Sequence, residues 1–280
     1  MRKTRMSIAL LVAAALAALI ASVALAATIT GTNDDELLRG TDAADQINGN
    51  GGRDRIFALA GNDTVSGGLG RDRVFAAAGD DAVDGDRGSD RVFGGAGNDT
   101  LSGSQGRDRV FGGLGDDQLQ GGFGRDVLFG GAGNDQTNGG PQHDRIFGGS
   151  GDDVSDGSYG NDLILANLGT DKTFGGPGND NLWALARGDV HPGPNGETDT
   201  VGDTLDGGIG NDRFHTRDGE ADTIWCGAGH DRAQLDEVDV IADATPANPS
   251  GSCEKVKRAA PKPDEARAEA DTSEEDTESR

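Results

Sequence analysis

An acidic residue recurs at every ninth position over more than half of this chain. Residues 31–183 divide into seventeen nine-residue units without an insertion, and the sixth position of each unit is Asp, or Glu36 in the first unit. Ca²⁺ takes about six to eight oxygen ligands from carboxylates and backbone carbonyls. Zn²⁺ prefers sulfur and nitrogen ligands, and Mg²⁺ demands a tight octahedron and retains its waters. The spacing therefore predicts a series of calcium sites.

The predicted calcium ligands are the sixth-position aspartates of the third unit onward, and two more from degenerate copies of the unit near the C terminus. Stacked coils would align these carboxylates in files, where they repel each other unless a cation lies between them. Asp203 and Asp222 are weaker candidates. The predicted ligands are Asp54, Asp63, Asp72, Asp81, Asp90, Asp99, Asp108, Asp117, Asp126, Asp135, Asp144, Asp153, Asp162, Asp171, Asp180, Asp212 and Asp231.

The other positions of the unit predict a turn followed by a very short strand. Position 4 is Gly in fourteen of the last fifteen units, which allows sharp turns with positive φ. Position 8 is Leu, Ile or Val in fourteen of the seventeen units. Because side chains alternate along a strand, position 8 points inward and forms a core one residue deep. The predicted core is less apolar at Thr137, Ser155 and Thr173.

Units such as GGAGNDTLS at 94–102 and GGLGDDQLQ at 112–120 resemble the repeats-in-toxin (RTX, hemolysin-type) calcium-binding nonapeptide, G-G-x-G-x-D-x-U-x. The resemblance implies an all-β fold: a parallel β-roll, or β-solenoid, in which six residues turn and bind Ca²⁺ and three form a strand. Proteins of this type usually carry an enzyme or pore-forming domain as well. This sequence has neither HExxH nor G-x-S-x-G, which predicts a protein that is not an enzyme.

The charge balance favours cations as partners. The chain has 25 basic and 49 acidic residues and a net charge of −24, which argues against nucleic acid, whose phosphates require clustered Lys and Arg. Residues 31–183 contain 26 acidic and 12 basic side chains. Because so thin a core offsets little of the entropy of ordering the backbone, we expect folding and calcium binding to be one process.

The two ends of the chain predict four further segments. Residues 1–26 combine basic residues, an apolar run and Ala24-Leu25-Ala26, which is typical of a cleaved secretory signal peptide; an uncleaved membrane anchor is the alternative. No later segment could span a membrane, so we expect a secreted, extracellular protein. Residues 184–200 are predicted as a loop insertion, 201–253 as degenerate repeats capped by a Cys226–Cys253 disulfide, and 254–280 as a disordered acidic tail.

Large apolar residues occupy position 9 in every second unit, and Arg often occupies positions 5 and 7 of the same units. All of these would lie on one of the two sheets, here called the Phe-Arg face. Either the rings and Arg stems cover their own sheet, or the face is adhesive toward a second copy, an extracellular surface or a polymer. The phenylalanines of this face are Phe57, Phe75, Phe93, Phe111, Phe129 and Phe147.

These observations together predict a secreted, calcium-binding and calcium-stabilised structural or adhesive module without catalytic activity. The alternative is the accessory calcium module of an extracellular sugar-modifying or hydrolytic enzyme.

Overall fold

A computed structural model describes residues 25–184, 202–244 and 252–259. All regular secondary structure in these residues is strand, and no described helix is long and apolar enough to cross a membrane. In chain order the strands are β1 Thr28–Thr30, β2 Leu37–Arg39, β3 Gln46–Asn48, β4 Gly51–Gly52, β5 Arg55–Ala60, β6 Thr64–Ser66, β7 Leu69–Gly70, β8 Arg73–Ala78, β9 Ala82–Asp84, β10 Arg87–Gly88, β11 Arg91–Ala96, β12 Thr100–Gly106, β13 Arg109–Leu114, β14 Gln118–Phe123, β15 Val127–Ala132, β16 Gln136–Pro141, β17 Arg145–Ser150, β18 Val154–Tyr159, β19 Leu163–Leu168, β20 Lys172–Phe174, β21 Asn181–Trp183, β22 Thr204–Asp206, β23 Ile209–Gly210, β24 Arg213–Thr216, β25 Thr223–Trp225, β26 Ala228–Gly229, β27 Arg232–Leu235, β28 Val240–Ile241 and β29 Lys255–Arg258.

Most strands form two long parallel sheets that the chain visits alternately, so that it winds as a solenoid of about 11 turns, and β23 and β26 pair as a separate two-stranded sheet. The first sheet has the order β1-β3-β6-β9-β12-β14-β16-β18-β20-β22-β25-β28, with β4, β7 and β10 paired beside it. The second sheet has the order β2-β5-β8-β11-β13-β15-β17-β19-β21-β24-β27-β29. The predicted all-β parallel roll is therefore confirmed.

Residues 18 positions apart lie directly above one another. In the second sheet Val92 pairs with Val74 on one side and Val110 on the other. This register places every position-8 side chain inside, and Ile56, Val65 and Leu101 are at most 2% exposed. The core is one side chain deep on each sheet, as the spacing predicts.

The three polar core positions are buried like their apolar equivalents. Thr137 donates a hydrogen bond from Oγ1 to Ser155 Oγ at 3.0 Å in the next coil. Thr173 is 1% exposed, and its Oγ1 makes no hydrogen bond within the described part of the chain. These coils thus replace apolar contact with one hydrogen bond and one unsatisfied hydroxyl.

Many strands are longer than the predicted three residues. Strand β11 runs from Arg91 through Ala96, because the backbone continues to pair across the first positions of the next unit, with Gly95 opposite Gly113. Many of the turns have positive φ at position 4. There Gly97 has φ +130°, and a Cβ would collide with the carbonyl oxygen of Gly79 in the preceding coil. Gln142, which replaces this glycine once, still adopts φ 90°.

The structure changes the predicted boundaries at both ends of the roll. Thr28–Thr30 pairs with Gln46–Asn48 and adds a strand before residue 31. Lys255–Arg258 pairs with Arg232–Leu235, so the prediction that disorder begins at 254 is wrong for this segment, which the parallel pairing orders. Residues 1–24, 185–201, 245–251 and 260–280 lie outside the described chain, and with them most of the predicted signal peptide, loop and tail.

Candidate metal centre

The sixth-position carboxylates stand in two files, one leading into each sheet. The first file, before the strands of the first sheet, contains Asp45, Asp63, Asp81, Asp99, Asp117, Asp135, Asp153, Asp171, Asp203 and Asp222. The second file, before the strands of the second sheet, contains Asp54, Asp72, Asp90, Asp108, Asp126, Asp144, Asp162, Asp180, Asp212 and Asp231. All seventeen predicted ligands are members of these files. Their role as ligands stays a prediction.

One oxygen of each carboxylate is engaged by the neighbouring coil. The Oδ1 atom of Asp108 accepts a hydrogen bond from the backbone N–H of Asp90 at 2.7 Å, and the Asp108 N–H donates in turn to Asp126 Oδ1 at 2.8 Å. The same bond repeats along both files. It continues through the inserted segment, where the Asp180 N–H donates to Asp212 Oδ1 at 2.8 Å. Each side chain therefore joins its own coil to the one before it.

In seventeen of these carboxylates the second oxygen is buried and accepts no hydrogen bond from the described residues. Such an atom is costly because it has given up its water without a replacement. The unsatisfied atoms are the Oδ2 atoms of Asp54, Asp63, Asp72, Asp81, Asp90, Asp99, Asp108, Asp117, Asp126, Asp135, Asp144, Asp153, Asp162, Asp180, Asp212, Asp222 and Asp231. These seventeen carboxylate oxygens lie in two regular rows, where a regular series of cations would satisfy them.

Backbone carbonyl oxygens converge on the same places. A methyl group at Gly103 would lie 2.8 Å from Asp108 Oδ2 and also 2.8 Å from the carbonyl oxygen of Gly121 in the next coil. The equivalent position at Gly121 would lie 2.9 Å from Asp126 Oδ2 and 2.6 Å from the Gly139 carbonyl oxygen. Each space is thus bordered by oxygen acceptors from two coils. This donor set suits a hard cation such as Ca²⁺.

Burial and mutual repulsion make the metal-free arrangement unfavourable for charged carboxylates. Burial raises the pKa of Asp90 and Asp108 to about 7, and neighbouring aspartates of the file add to the rise. Burial likewise raises the pKa of Asp144 and Asp153 to about 8. A cation bound beside these carboxylates would oppose this rise, because a nearby positive charge favours the ionised form.

The described side chains do not supply a complete metal site by themselves. No group of three or more Asp, Glu, His or Cys side chains in the described ranges is close enough to hold an ion. Asp90 and Asp108, for example, lie one coil apart and each presents one unsatisfied oxygen. Any ion between two coils would therefore draw most of its ligands from backbone carbonyls, which is why the glycine turns matter as much as the aspartates.

Asp45 and Glu254, which the sequence analysis missed, and the weaker candidates Asp203 and Asp222 complete the files. Asp45 starts the first file, and its Oδ2 accepts a hydrogen bond from the Thr41 backbone N–H at 2.6 Å. Asp203 and Asp222 are buried members in full register, although the glycines of their units are degenerate. Glu254 closes the second file by accepting from the Asp231 N–H at 2.5 Å.

The side chains at position 5 of the turns that enter the first sheet form a further row of hydrogen bonds between coils. The sequence analysis did not predict this row. The Asn98 N–H donates to Asp80 Oδ1 at 2.9 Å, and the Asp116 N–H donates to Asn98 Oδ1 at 3.0 Å. The alternation of Asn and Asp at every eighteenth residue is the signal that could have revealed it. These side chains are exposed and bond in the direction opposite to that of the buried carboxylates.

The phenylalanines of the Phe-Arg face form one continuous stack. The ring centroids of neighbouring coils are 4.6–4.9 Å apart and the ring planes are within 3–8° of parallel. Arg55 and Arg145 place Cζ 5.9 and 5.5 Å from the centroids of Phe57 and Phe147, at the two ends of the stack. The ring faces therefore cover one another, and the ring edges lie outward.

The cap is closed by the predicted disulfide. Cys226 and Cys253 are bonded, with Cα atoms 5.3 Å apart, and both are buried in the core at the end of the roll. Their bond brings residues 252–259 to the last coil, where β29 pairs with β27. In the same region Arg258 donates to the carbonyl oxygens of Asp236 and Asp239.

Comparison with known protein families gives a single assignment. The model of the RTX calcium-binding nonapeptide repeat (4 copies) matches residues 30–65, 58–92, 84–119, 111–146, 147–182 and 199–233. A search of curated proteins found no significant match. The matched ranges contain both files of carboxylates and the turns that position them.

Proposed function

Because the chain belongs to the RTX calcium-binding nonapeptide repeat family, we propose that it is a secreted, non-catalytic module whose roll folds when its two carboxylate files bind calcium. The supporting observation is the pair of rows of buried, unsatisfied Oδ2 atoms, several of which lie beside a backbone carbonyl of the next coil, as Asp108 and Asp126 do. Bound Ca²⁺ would supply positive charge and a demand for many oxygen ligands.

The seventeen predicted aspartates are the proposed ligands, together with Asp222 and the carbonyl oxygens of the glycine turns. Asp Oδ1 atoms hold successive coils in register through backbone N–H groups, which leaves Oδ2 for the cation. The ion would offset repulsion within each file, and each occupied site would stabilise only the adjacent coils, as in other solenoids.

Far-UV circular dichroism of the chain without residues 1–26 tests this proposal. We expect a coil-like spectrum in calcium-free buffer and a gain of β signal on addition of millimolar Ca²⁺. An equal concentration of Mg²⁺ should have much less effect, because it binds poorly to flexible, carbonyl-rich sites. An unchanged spectrum in Ca²⁺, or an equal response to Mg²⁺, would refute calcium-coupled folding.

Secretion is proposed from the N-terminal sequence. RTX repeat proteins are typically secreted, and Ala24-Leu25-Ala26 offers a cleavage signature. We expect mass spectrometry of the exported protein to find Ala27 at the N terminus. Recovery of the full-length chain in the membrane fraction would favour an anchor instead.

An adhesive role is proposed for the Phe-Arg face, because five of its six stacked rings are partly exposed, although Phe147 is buried, and monomers rarely leave a long apolar row uncovered. Replacement of Phe75, Phe93 and Phe111 by Ser should abolish calcium-dependent association or surface binding. The calcium-induced circular dichroism spectrum should stay unchanged. Light scattering with and without Ca²⁺ measures association. A wild-type protein that stays monomeric and binds no surface would contradict adhesion.

The proposal that the chain is not catalytic has its own test. Hydrolysis of a polysaccharide by the pure chain would contradict it.

A further inference from the structure

A groove of about 340 Å³ crosses several coils on the second-sheet side of the roll. Arg91 and Arg109, which line it, are directly paired neighbours in β11 and β13. The groove therefore runs along the roll axis, perpendicular to the strands. Its charged lining residues are Arg71, Arg91, Arg107, Arg109, Asp90 and Asp108.

The arginines enter this groove from two rows. Arg71 and Arg107 occupy position 5 of their turns and are exposed, whereas Arg91 and Arg109 occupy position 7 of the strands and are half-buried. Guanidinium groups bind carboxylate and sulfate oxygens in a planar, bidentate manner. Rows that repeat at the spacing of parallel strands, about 4.8 Å, suit a ligand whose charges also recur at a fixed interval.

Positive charge is segregated onto this side of an otherwise acidic chain. Eleven of the twelve basic residues between 31 and 183 lie on second-sheet strands or in the turns that lead into them, and only Lys172 does not. The turns that enter the first sheet carry Asp80, Asp116 and Asp152 instead. The groove is thus a local site for an anion on a molecule that repels anions elsewhere.

The neighbouring aromatic stack narrows the class of anion. Single-stranded nucleic acids bind by stacking bases on open aromatic faces, but here the ring faces cover one another. The exposed ring edges carry partial positive charge and add to the attraction for anions. A regular, unbranched polymer of charged sugars fits such a surface better than nucleic acid does.

We propose that this groove binds a linear anionic polysaccharide laid along the roll axis, and that binding requires calcium. The calcium dependence rests on the proposed function. Asp90 and Asp108 line the groove and are buried with unsatisfied Oδ2 atoms, so a cation held by them would remove negative charge beneath the ligand. Stacking of the coils also brings the arginine rows together.

Binding of fluorescein-labelled dextran sulfate, measured by anisotropy in excess calcium, tests the proposal. Neutral dextran of equal length controls for the sugar backbone. The test variant is Arg71→Gln with Arg107→Gln, which changes two exposed side chains. The matched control, Arg87→Gln with Lys172→Gln, removes the same charge outside the groove. Single-stranded DNA and poly-glutamate serve as competing anions.

Wild-type protein should bind dextran sulfate saturably in calcium and not in chelator. The groove variant should bind about tenfold more weakly, the order expected when charge-assisted hydrogen bonds are lost, and the control variant should match wild type. Equal weakening in both variants, or tighter binding of DNA or poly-glutamate, would overturn the proposal. Absent binding with an intact calcium-induced spectrum refutes this inference alone, whereas an absent spectral change refutes the proposed function.

Discussion

We expect protonation of the buried carboxylates at low pH to let the roll fold without calcium. In the folded, metal-free chain, burial raises the pKa of Asp90 and Asp108 from 3.8 to about 7, and that of Asp144 and Asp153 to about 8. Because these pKa values are higher in the folded chain than in the unfolded chain, the carboxylates favour folding below pH 3.8. That contribution is lost as the pH rises through about 7 to 8.

The size of this effect follows from the same values. A carboxylate whose pKa rises from 3.8 to about 7 disfavours the folded state by about 4 kcal/mol once the pH exceeds 7. The free-energy cost of ionising only a few such carboxylates equals the roughly 5–15 kcal/mol by which folded domains are stable. Each file contains many of these carboxylates. We therefore expect the calcium-free chain to be unfolded at pH 8 and to gain β structure near pH 4.

The assay is circular dichroism of protein that has been dialysed against chelator and then titrated from pH 8 to pH 4. Replacement of Asp90 and Asp108 by Asn should move the calcium-free transition to higher pH, because two charges are removed while the Oδ1 acceptors are kept. The same variant should need more calcium at pH 8. A β spectrum at pH 8 without calcium, or a coil spectrum at pH 4, would refute the reasoning.

Three further perturbations examine coupling, the cap and the core. In calorimetric titrations, Asp117→Ala should raise the calcium midpoint and lower the Hill slope more than Asp45→Ala does, because Asp117 lies between two coils of the file. Equal effects of the two substitutions would argue against calcium sites that neighbouring coils share. Replacing Cys226 and Cys253 by Ser should lower the free energy of unfolding in calcium by about 3 kcal/mol in urea titrations, and an unchanged midpoint would show that the cap adds nothing. Thr173→Val should raise the thermal midpoint and add about 1 kcal/mol, because the Thr173 hydroxyl is buried and unsatisfied; a lower midpoint would contradict this account.

The repetitive part of the fold was predictable because each position of the unit has one environment. Ile56 and Val65 had to lie inside, since a three-residue strand offers only one inward position, and both are at most 2% exposed. Phe75 and Phe93 had to stack, since 18 residues close one coil, and their centroids are 4.8 Å apart.

The irregular parts were not predictable from the unit. Lys255–Arg258 contains neither the glycines nor the aspartate of the motif, and it becomes a strand because it pairs with Arg232–Leu235 beside the disulfide. Asp222 belongs to its file although Glu220 replaces the turn glycine. The arginine groove depends on which rows become neighbours in space, and that is decided by the closure of the coil.

The inserted segment after Ala184 leaves the stacking of the coils unchanged. Asp180 and Asp212 are 32 residues apart but form the same hydrogen bond as pairs separated by 18 residues. The extra sequence between them therefore leaves the rows of the described coils on either side unaltered. For protein engineering, this junction is a natural position at which to graft a peptide or a small domain at a defined height on the roll.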